Sequence, residues 1–303
     1  MRRNIAVLFA ISALTLAAAT AAASAQQLPV IYNGVLGYSH ASPTASPPGA
    51  NDFSCRPSAA HPRPVVLVHG TFADMSDSWQ ALSPLLADKG YCVFALNYGA
   101  YAGSEAAGVY AVGDIAESAA QLSSFVDRVL AATGAGKVDL VGHSQGGMMP
   151  RYYIKRLGGA AKVHALVGLA PSNHGTTLNG IFTLSQQLPG AGAFTGSLCP
   201  ACEEQSAGSA FITDLNAGAE TAPGVDYTVI ESRYDEVVTP YTSAFLSGPG
   251  VTNITLQSQC PLDLGDHLSM PYDHIADRDV LNALDPTAAV KPVCAPIAPV
   301  AGG

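Results

Sequence analysis

The chain has 303 residues, 48% of them hydrophobic and 12% charged, enough apolar side chain for one large core and too little length to require a second domain. Its formal charge of −9 repels phosphate backbones, so nucleic acid is not an expected partner.

The first segment, MRRNIAVLFAISALTLAAATAAASA, places Arg2 and Arg3 before an apolar run from Ile5 and ends with Ala23 and Ala25 in A-x-A spacing. That pattern predicts a secretory signal, residues 1–25, cut after Ala25. The mature chain, 26–303, is then expected to be one extracellular domain, more acidic still because the lost segment carries arginines and no acid. No later stretch is long and apolar enough to predict an integral membrane segment.

Cys55, Cys92, Cys199, Cys202, Cys260 and Cys294 all lie beyond the cleavage site. An even number in an oxidising compartment predicts three disulfides, out of about 15 connectivities. The pairing adopted is Cys55 with Cys92, Cys199 with Cys202, and Cys260 with Cys294. The CPAC at 199–202 also fits a redox dithiol or half a zinc site, but no thioredoxin-like setting or second C-x-x-C accompanies it.

Residues 26–60 read as a surface wrap, since the Pro, Ser and Ala-rich HASPTASPPGANDF cannot be regular over much of its length. PVVLVHG (64–70) and YCVFALN (91–97) are continuous apolar runs typical of strands buried on both faces. Between them, Trp79, Leu82, Leu85 and Leu86 recur at helical spacing before Gly90. A second helix is predicted over 114–133, with Asp114 as its cap and Gly134 as its stop. KVDLVGH (137–143), HALVGLAP (164–171), VDYTVIES (225–232) and VTNITLQSQ (251–259) follow as further strands. Strand and helix in alternation predict an α/β fold, a mostly parallel sheet with helices on both faces. Residues 172–222 break the pattern: they are rich in Gly, Ser and Thr, and only Leu178, Ile181, Phe182 and Leu188 suggest a short apolar helix face. So long a connection predicts a cap, lid or binding loop.

Gly142-His143-Ser144-Gln145-Gly146 sits between a buried strand and a helix carrying Met148, Met149, Tyr152 and Leu157. A serine on that sharp turn is lifted above the carboxyl edge of the sheet. The glycines are expected there because the backbone is tight, positive φ is allowed to them, and side chains would collide. A serine hydroxyl needs a base, and the base a carboxylate; on this architecture they follow in the order serine, acid, histidine. RYDEVVTP (233–240) supplies Asp235, with Glu236 beside it as the alternative; the loop after the last strand supplies His267, with His274 as the alternative. His143 is expected to point away from the site. Asp263, Asp266 and Asp273 read as a solvated acidic loop rather than a Ca²⁺ site, and no metal site is predicted. The oxyanion donors are expected to be the Gln145 N–H and the Thr71 N–H, helped by the Thr71 hydroxyl, with Phe72 as second choice. With only the backbone of Gln145 contributing, Gln145→Ala is expected to be mild.

VVLVHGTF, VDLVGHSQGG, SRYDEVVTP and GDHLSMPYD, in that order, resemble the secreted bacterial lipases of the class 2 lipase family, within the α/β-hydrolases. The resemblance implies an α/β-hydrolase fold with a cap or lid insertion after the sixth strand. It implies a Ser144, Asp235, His267 triad, no cofactor, and hydrolysis of carboxylic esters with apolar acyl chains through an acyl-enzyme. Phe72, Met148, Leu178, Ile181 and Phe182 are the side chains expected to bind the acyl group. The expected partner is a small-molecule or interfacial lipid ester, and the expected state a monomer. A polyester hydrolase with the same triad and an open cleft is the alternative, and a non-catalytic binding module on the same fold the more distant one.

Overall fold

The apolar runs pair side by side, because strands rich in Val, Leu and Phe on both faces have to be covered on both. In the computed structural model, which describes residues 27–37 and 42–303, they form β1 (Val65–Val68), β2 (Val93–Leu96), β3 (Val138–His143), β4 (Val163–Leu169), β5 (Asp226–Glu231) and β6 (Val251–Thr255). The expected signal segment lies outside the described residues. The six strands are all parallel, in the order β2-β1-β3-β4-β5-β6. The helices are α1 (Met75–Ser78), α2 (Leu82–Asp88), α3 (Ile115–Thr133), α4 (Gln145–Arg156), α5 (Leu178–Gln187), α6 (Pro200–Glu204), α7 (Ala210–Asn216), α8 (Leu256–Gln259) and α9 (His274–Leu284).

Strand alternation divides the core in two. Val66, Val68, Phe94 and Leu140 pack with Leu122, Val126 and Val129 of α3 and Met148 of α4. Val65, Leu67, Val93 and Val141 pack on the opposite face with Leu82 and Leu86 of α2 and Ile275 and Val280 of α9. Each such buried side chain contributes about 1.5–3 kcal/mol. α3 begins where the Asp114 carboxylate accepts the Glu117 N–H, and ends at Gly134, whose φ of 74° suits glycine.

The chain enters at β1, crosses to β2 on one side, and returns to β3 on the other. The C-terminal ends of β1 and β3 are therefore neighbours with connections leaving in opposite directions, the crevice where parallel sheets place their ligands.

Several expectations are corrected. The helix expected between the first two strands is two, because Pro84 lacks the N–H that a helix running through residue 80 would require. The last strand ends at Thr255, and 256–259 turn into α8 as the Gln257 side chain bonds the Ser232 hydroxyl and the Arg233 N–H. Residues 172–222 follow the fourth strand of this sheet, not the sixth, since no strand precedes Val65 among the described residues. The wrap does have one sheet-like role: the Asn51 side chain accepts the Ala95 N–H at 2.9 Å and donates to the Ala95 carbonyl at 3.0 Å, covering the exposed edge of β2.

The three disulfides join Cys55 to Cys92, Cys199 to Cys202, and Cys260 to Cys294. The last spans 34 positions and contributes about 3–4 kcal/mol by the loop-closure argument.

The acids near the end of the chain are not solvated, contrary to expectation. Asp263 and Asp273 are buried, and Asp266 nearly so, because the C-terminal tail crosses them, with Leu264 N–H bonded to the Ile297 carbonyl and Val300 N–H to Asp266. Among the described residues no three His, Cys, Asp or Glu side chains are arranged to hold a metal ion. Asp277 is fully buried as well, with neither carboxyl oxygen bonded among the described residues. Burial, and then the charge of Asp273, push its carboxyl well above the ordinary range. A raised value in the folded state means that the native protein holds the proton more tightly than the unfolded chain, so stability is full below the ordinary carboxylate range and falls as pH rises. Asp277→Asn is expected to leave stability nearly unchanged at pH 4 and to raise it by about 1 kcal/mol or more at pH 8. Urea unfolding at the two pH values measures the difference.

Candidate active site

β3 runs directly into α4, and the turn between them is sterically extreme. A Cβ on Gly142 would stand 1.8 Å from the Gly146 carbonyl oxygen, and one on Gly146 would stand 2.1 Å from that of Val68. The two glycines are required by close approach; the positive φ falls instead on Ser144, at 56° with ψ −125°. A non-glycine residue there carries about 1–3 kcal/mol of strain. The result is a serine at the mouth of the β1–β3 crevice, at the N-terminus of α4 where the helix dipole favours negative charge.

Ser144 Oγ lies 3.0 Å from His267 Nε2, and His267 Nδ1 lies 2.7 Å from Asp235 Oδ2. The other oxygen of Asp235 accepts the N–H groups of Val237 and Val238, at 2.8 and 2.7 Å, which fixes the carboxylate's orientation. Glu236 meets the loop backbone rather than the ring, 3.4 Å from the His267 N–H. His274 opens α9 and faces the Gly303 and Val293 carbonyls, remote from Ser144. Burial alone would lower the basicity of His267, but the charge and hydrogen bond of Asp235, then the charges of Glu236 and Asp266, outweigh it and hold the imidazole above its ordinary value.

Two residues at this row are invisible in the sequence. His143 does not point away: its Nε2 lies 2.9 Å from the His267 carbonyl and the two rings are 4.8 Å apart. Burial, then the charge of His267, hold it well below its ordinary value, so it is neutral and donates to that carbonyl. Glu231, fully buried at the end of β5, accepts the Ser232 N–H and adjoins Asp235. Burial, then the charge of Asp235, push its carboxyl well above the ordinary range. His143 stands in the serine motif at a place the motif leaves open, and Glu231 in no motif; only the folding of distant loops brings them here.

At the end of β1, the Phe72 N–H is occupied by the Tyr110 carbonyl at 3.0 Å, which removes it as an anion donor. Thr71 and Ser144 line one cavity, together with Gly70, Leu184, Leu188, Leu268 and Tyr272. The Gln145 N–H belongs to the first turn of α4, where no helical carbonyl can take it. The Gln145 side chain is also engaged, its Nε2 donating to Thr71 Oγ1 at 3.0 Å, so the expectation of a backbone-only contribution is incomplete.

Four of the side chains expected to bind an acyl group are elsewhere. Phe72 and Met148 are wholly within the core on the α3 and α4 side. Ile181 and Phe182 line a separate surface hollow with Thr195 and Glu203, and Leu178 is placed here only as the first residue of α5. The apolar wall near Ser144 comes from the end of α5 and the segment after His267 instead. The cavity measures about 20 Å³, room for one water and no acyl chain.

A parallel sheet with a strained serine at its switch point and an imidazole and carboxylate from later strand ends has the architecture of an α/β-hydrolase. The chain belongs to the class 2 lipase family, whose sequence model matches residues 62–268. It is similar to triacylglycerol lipases of Pseudarthrobacter phenanthrenivorans and Burkholderia plantarii, 39% identical to each over 99 residues. Those stretches are 31% of this chain and 28% and 25% of the two relatives, so the match spans well under half of either. In structure it is similar to Aspergillus fumigatus lipase B, with a TM-score of 0.58 and 20% identity over 82% of this chain and 57% of that one. The mature lipase BlEst2 of Bacillus licheniformis gives 0.54 and 17%, over 76% of this chain and 94% of its own.

If His267 must be neutral to act, the acid limb of any Ser144-dependent activity lies above the ordinary histidine value. Glu236→Gln removes a negative charge that favours the imidazolium, so the limb is expected to move to lower pH. The kcat/KM profile between pH 5 and 9 measures it.

Proposed function

We propose that the protein is a secreted serine hydrolase that cleaves carboxylic esters of apolar acyl chains, of the triacylglycerol type, through an acyl-enzyme. The observation that carries this reading is the row of Ser144, His267 and Asp235, with spacings of 3.0 and 2.7 Å among buried side chains. In the proposed mechanism Ser144 Oγ attacks the ester carbonyl while His267 Nε2 takes its proton and Asp235 stabilises the imidazolium. The N–H groups of Gln145 and Thr71 meet the oxyanion, each worth about 3–4 kcal/mol in the transition state. His267 then protonates the departing alcohol, and water, activated by the same imidazole, releases the acid.

The lipid reading draws support from what closes the site. Leu184 and Leu188, at the end of α5, roof the serine, while Phe182 on the same helix is 59% exposed, and Tyr234 and Leu264 are exposed beside Gln187. An apolar rim around a covered serine suits a flap, residues 178–188 within a 172–222 cap, that opens against a lipid surface. The same enclosure disfavours the open cleft of a polyester hydrolase. Three disulfides support export to an oxidising compartment, and the mature chain is proposed to act as a monomer.

Ser144→Ala is expected to lower ester turnover by about 10⁴-fold or more while circular dichroism and melting stay those of the parent. Retained turnover would overturn the assignment. Rates on an emulsified long-chain triglyceride, a soluble short-chain ester and a polyester film are expected to rank in that order. A film rate above the emulsion rate would select the polymer reading.

A further inference from the structure

The Thr71 hydroxyl has an unusual environment. Its oxygen accepts two amide N–H groups, from Gln145 Nε2 at 3.0 Å and Gln205 Nε2 at 2.9 Å. The orientation of each amide is fixed independently. Gln145 Nε2 also lies 2.9 Å from the Ala111 carbonyl, and Gln205 Nε2 lies 3.1 Å from that of Ala201, so each of these atoms must be the nitrogen. On the other side of the Gln205 amide, its oxygen accepts the Ser172 hydroxyl. A hydroxyl oxygen has two lone pairs, and here both are taken. Its single proton has to point somewhere else, and no acceptor among the described residues takes it. Thr71 and Ser144 line the same cavity.

Gln205 comes from the 172–222 segment, and its position is firmly held. It caps α6, with its N–H on the Ala201 carbonyl and its own carbonyl accepting the Thr176 N–H. α6 is in turn tied down at both ends: the Ala201 N–H donates to the Val112 carbonyl, and the Glu204 carboxylate accepts the Ile115 N–H at the start of α3. The Cys199–Cys202 disulfide closes the first turn of α6. So short a loop constrains the unfolded chain little, so its effect is local: it stiffens the turn from which Gln205 reaches back.

We infer that Gln205 is a positioning residue which, with the Gln145 side chain, turns the Thr71 hydroxyl into a further donor to the substrate oxyanion. The inference rests on the proposed acyl-enzyme mechanism, and gives the CPAC-bearing helix a role in it. Three glutamine and threonine side chains, from the loop after β1, the start of α4 and the end of α6, thereby act as one unit.

The test is a double-mutant cycle with kcat and KM measured per active site titrated by a fluorophosphonate. Gln205→Leu removes the donor at similar volume and is expected to lower kcat about tenfold at unchanged KM. Gln205→Glu offers the hydroxyl an acceptor, draws its proton away from the cavity, and is expected to cost more than Gln205→Leu. Thr71→Val is expected to lower kcat about 100-fold, with Thr71→Ser restoring most of it. Adding Gln205→Leu to Thr71→Val is expected to cost nothing further. The inference is overturned if both Gln205 variants keep kcat within twofold of the parent, or if Gln205→Leu costs as much without the Thr71 hydroxyl as with it. Gln205→Met replaces Gln205→Leu should the latter fail to fold. Failure of the parent reading is separately visible: in that case the fluorophosphonate does not label Ser144 in the unaltered protein.

Discussion

The closeness of two backbone segments at the β3–α4 turn governs the rest of this structure. Gly142 packs against the carbonyl of Gly146, and Gly146 against the carbonyls ending β1, so that no side chain fits at either place. This contact holds the serine between them at a positive φ and sets α4 close over the end of β1. Thr71 and the serine then come to line one cavity, although they are 73 positions apart in the chain. A strained turn of this kind persists because the sheet beneath it is buried on both faces and cannot relax toward it.

Around that turn the electrostatics are arranged in layers. His267 lies between a carboxylate whose lone pairs are held by two backbone N–H groups and a neutral imidazole that fixes its carbonyl. Behind the carboxylate stands a second carboxyl, that of Glu231, which burial and the charge of Asp235 hold well above its ordinary range. Of the acids around the ring, Asp235 is the one that touches it, and its burial leaves that charge little screened. The whole group depends on buried polar contacts, each of which costs little while satisfied and much when broken.

The parts of this arrangement that could be read in the sequence are those with a local cause. Buried strands announce themselves as unbroken apolar runs, α3 by its 3.6 period between Asp114 and Gly134, and the serine turn by glycines between a strand and a helix. Chain order then led to Asp235 and His267, which the fold does bring to Ser144. The side chains walling the cavity had no such signature. Leu184 and Leu188 are ordinary leucines until α5 lies over the serine, and Phe72 and Met148, adjacent to the motifs in sequence, turn into the core. His143, Glu231 and Gln205 owe their roles to contacts between segments 33 to 134 positions apart, or to a neighbour's charge, and neither leaves a periodicity. The acidic loop differs from expectation for the same reason: the C-terminal tail folds back over it.

The Cys260–Cys294 bond encloses the segment that bears His267, while Ser144 and Asp235 lie outside it. Preparations made where thiols remain reduced would lack the tie around the segment that carries the imidazole. For such material the amount of folded protein and the number of competent sites are different quantities, and the second reports the oxidation history of the sample.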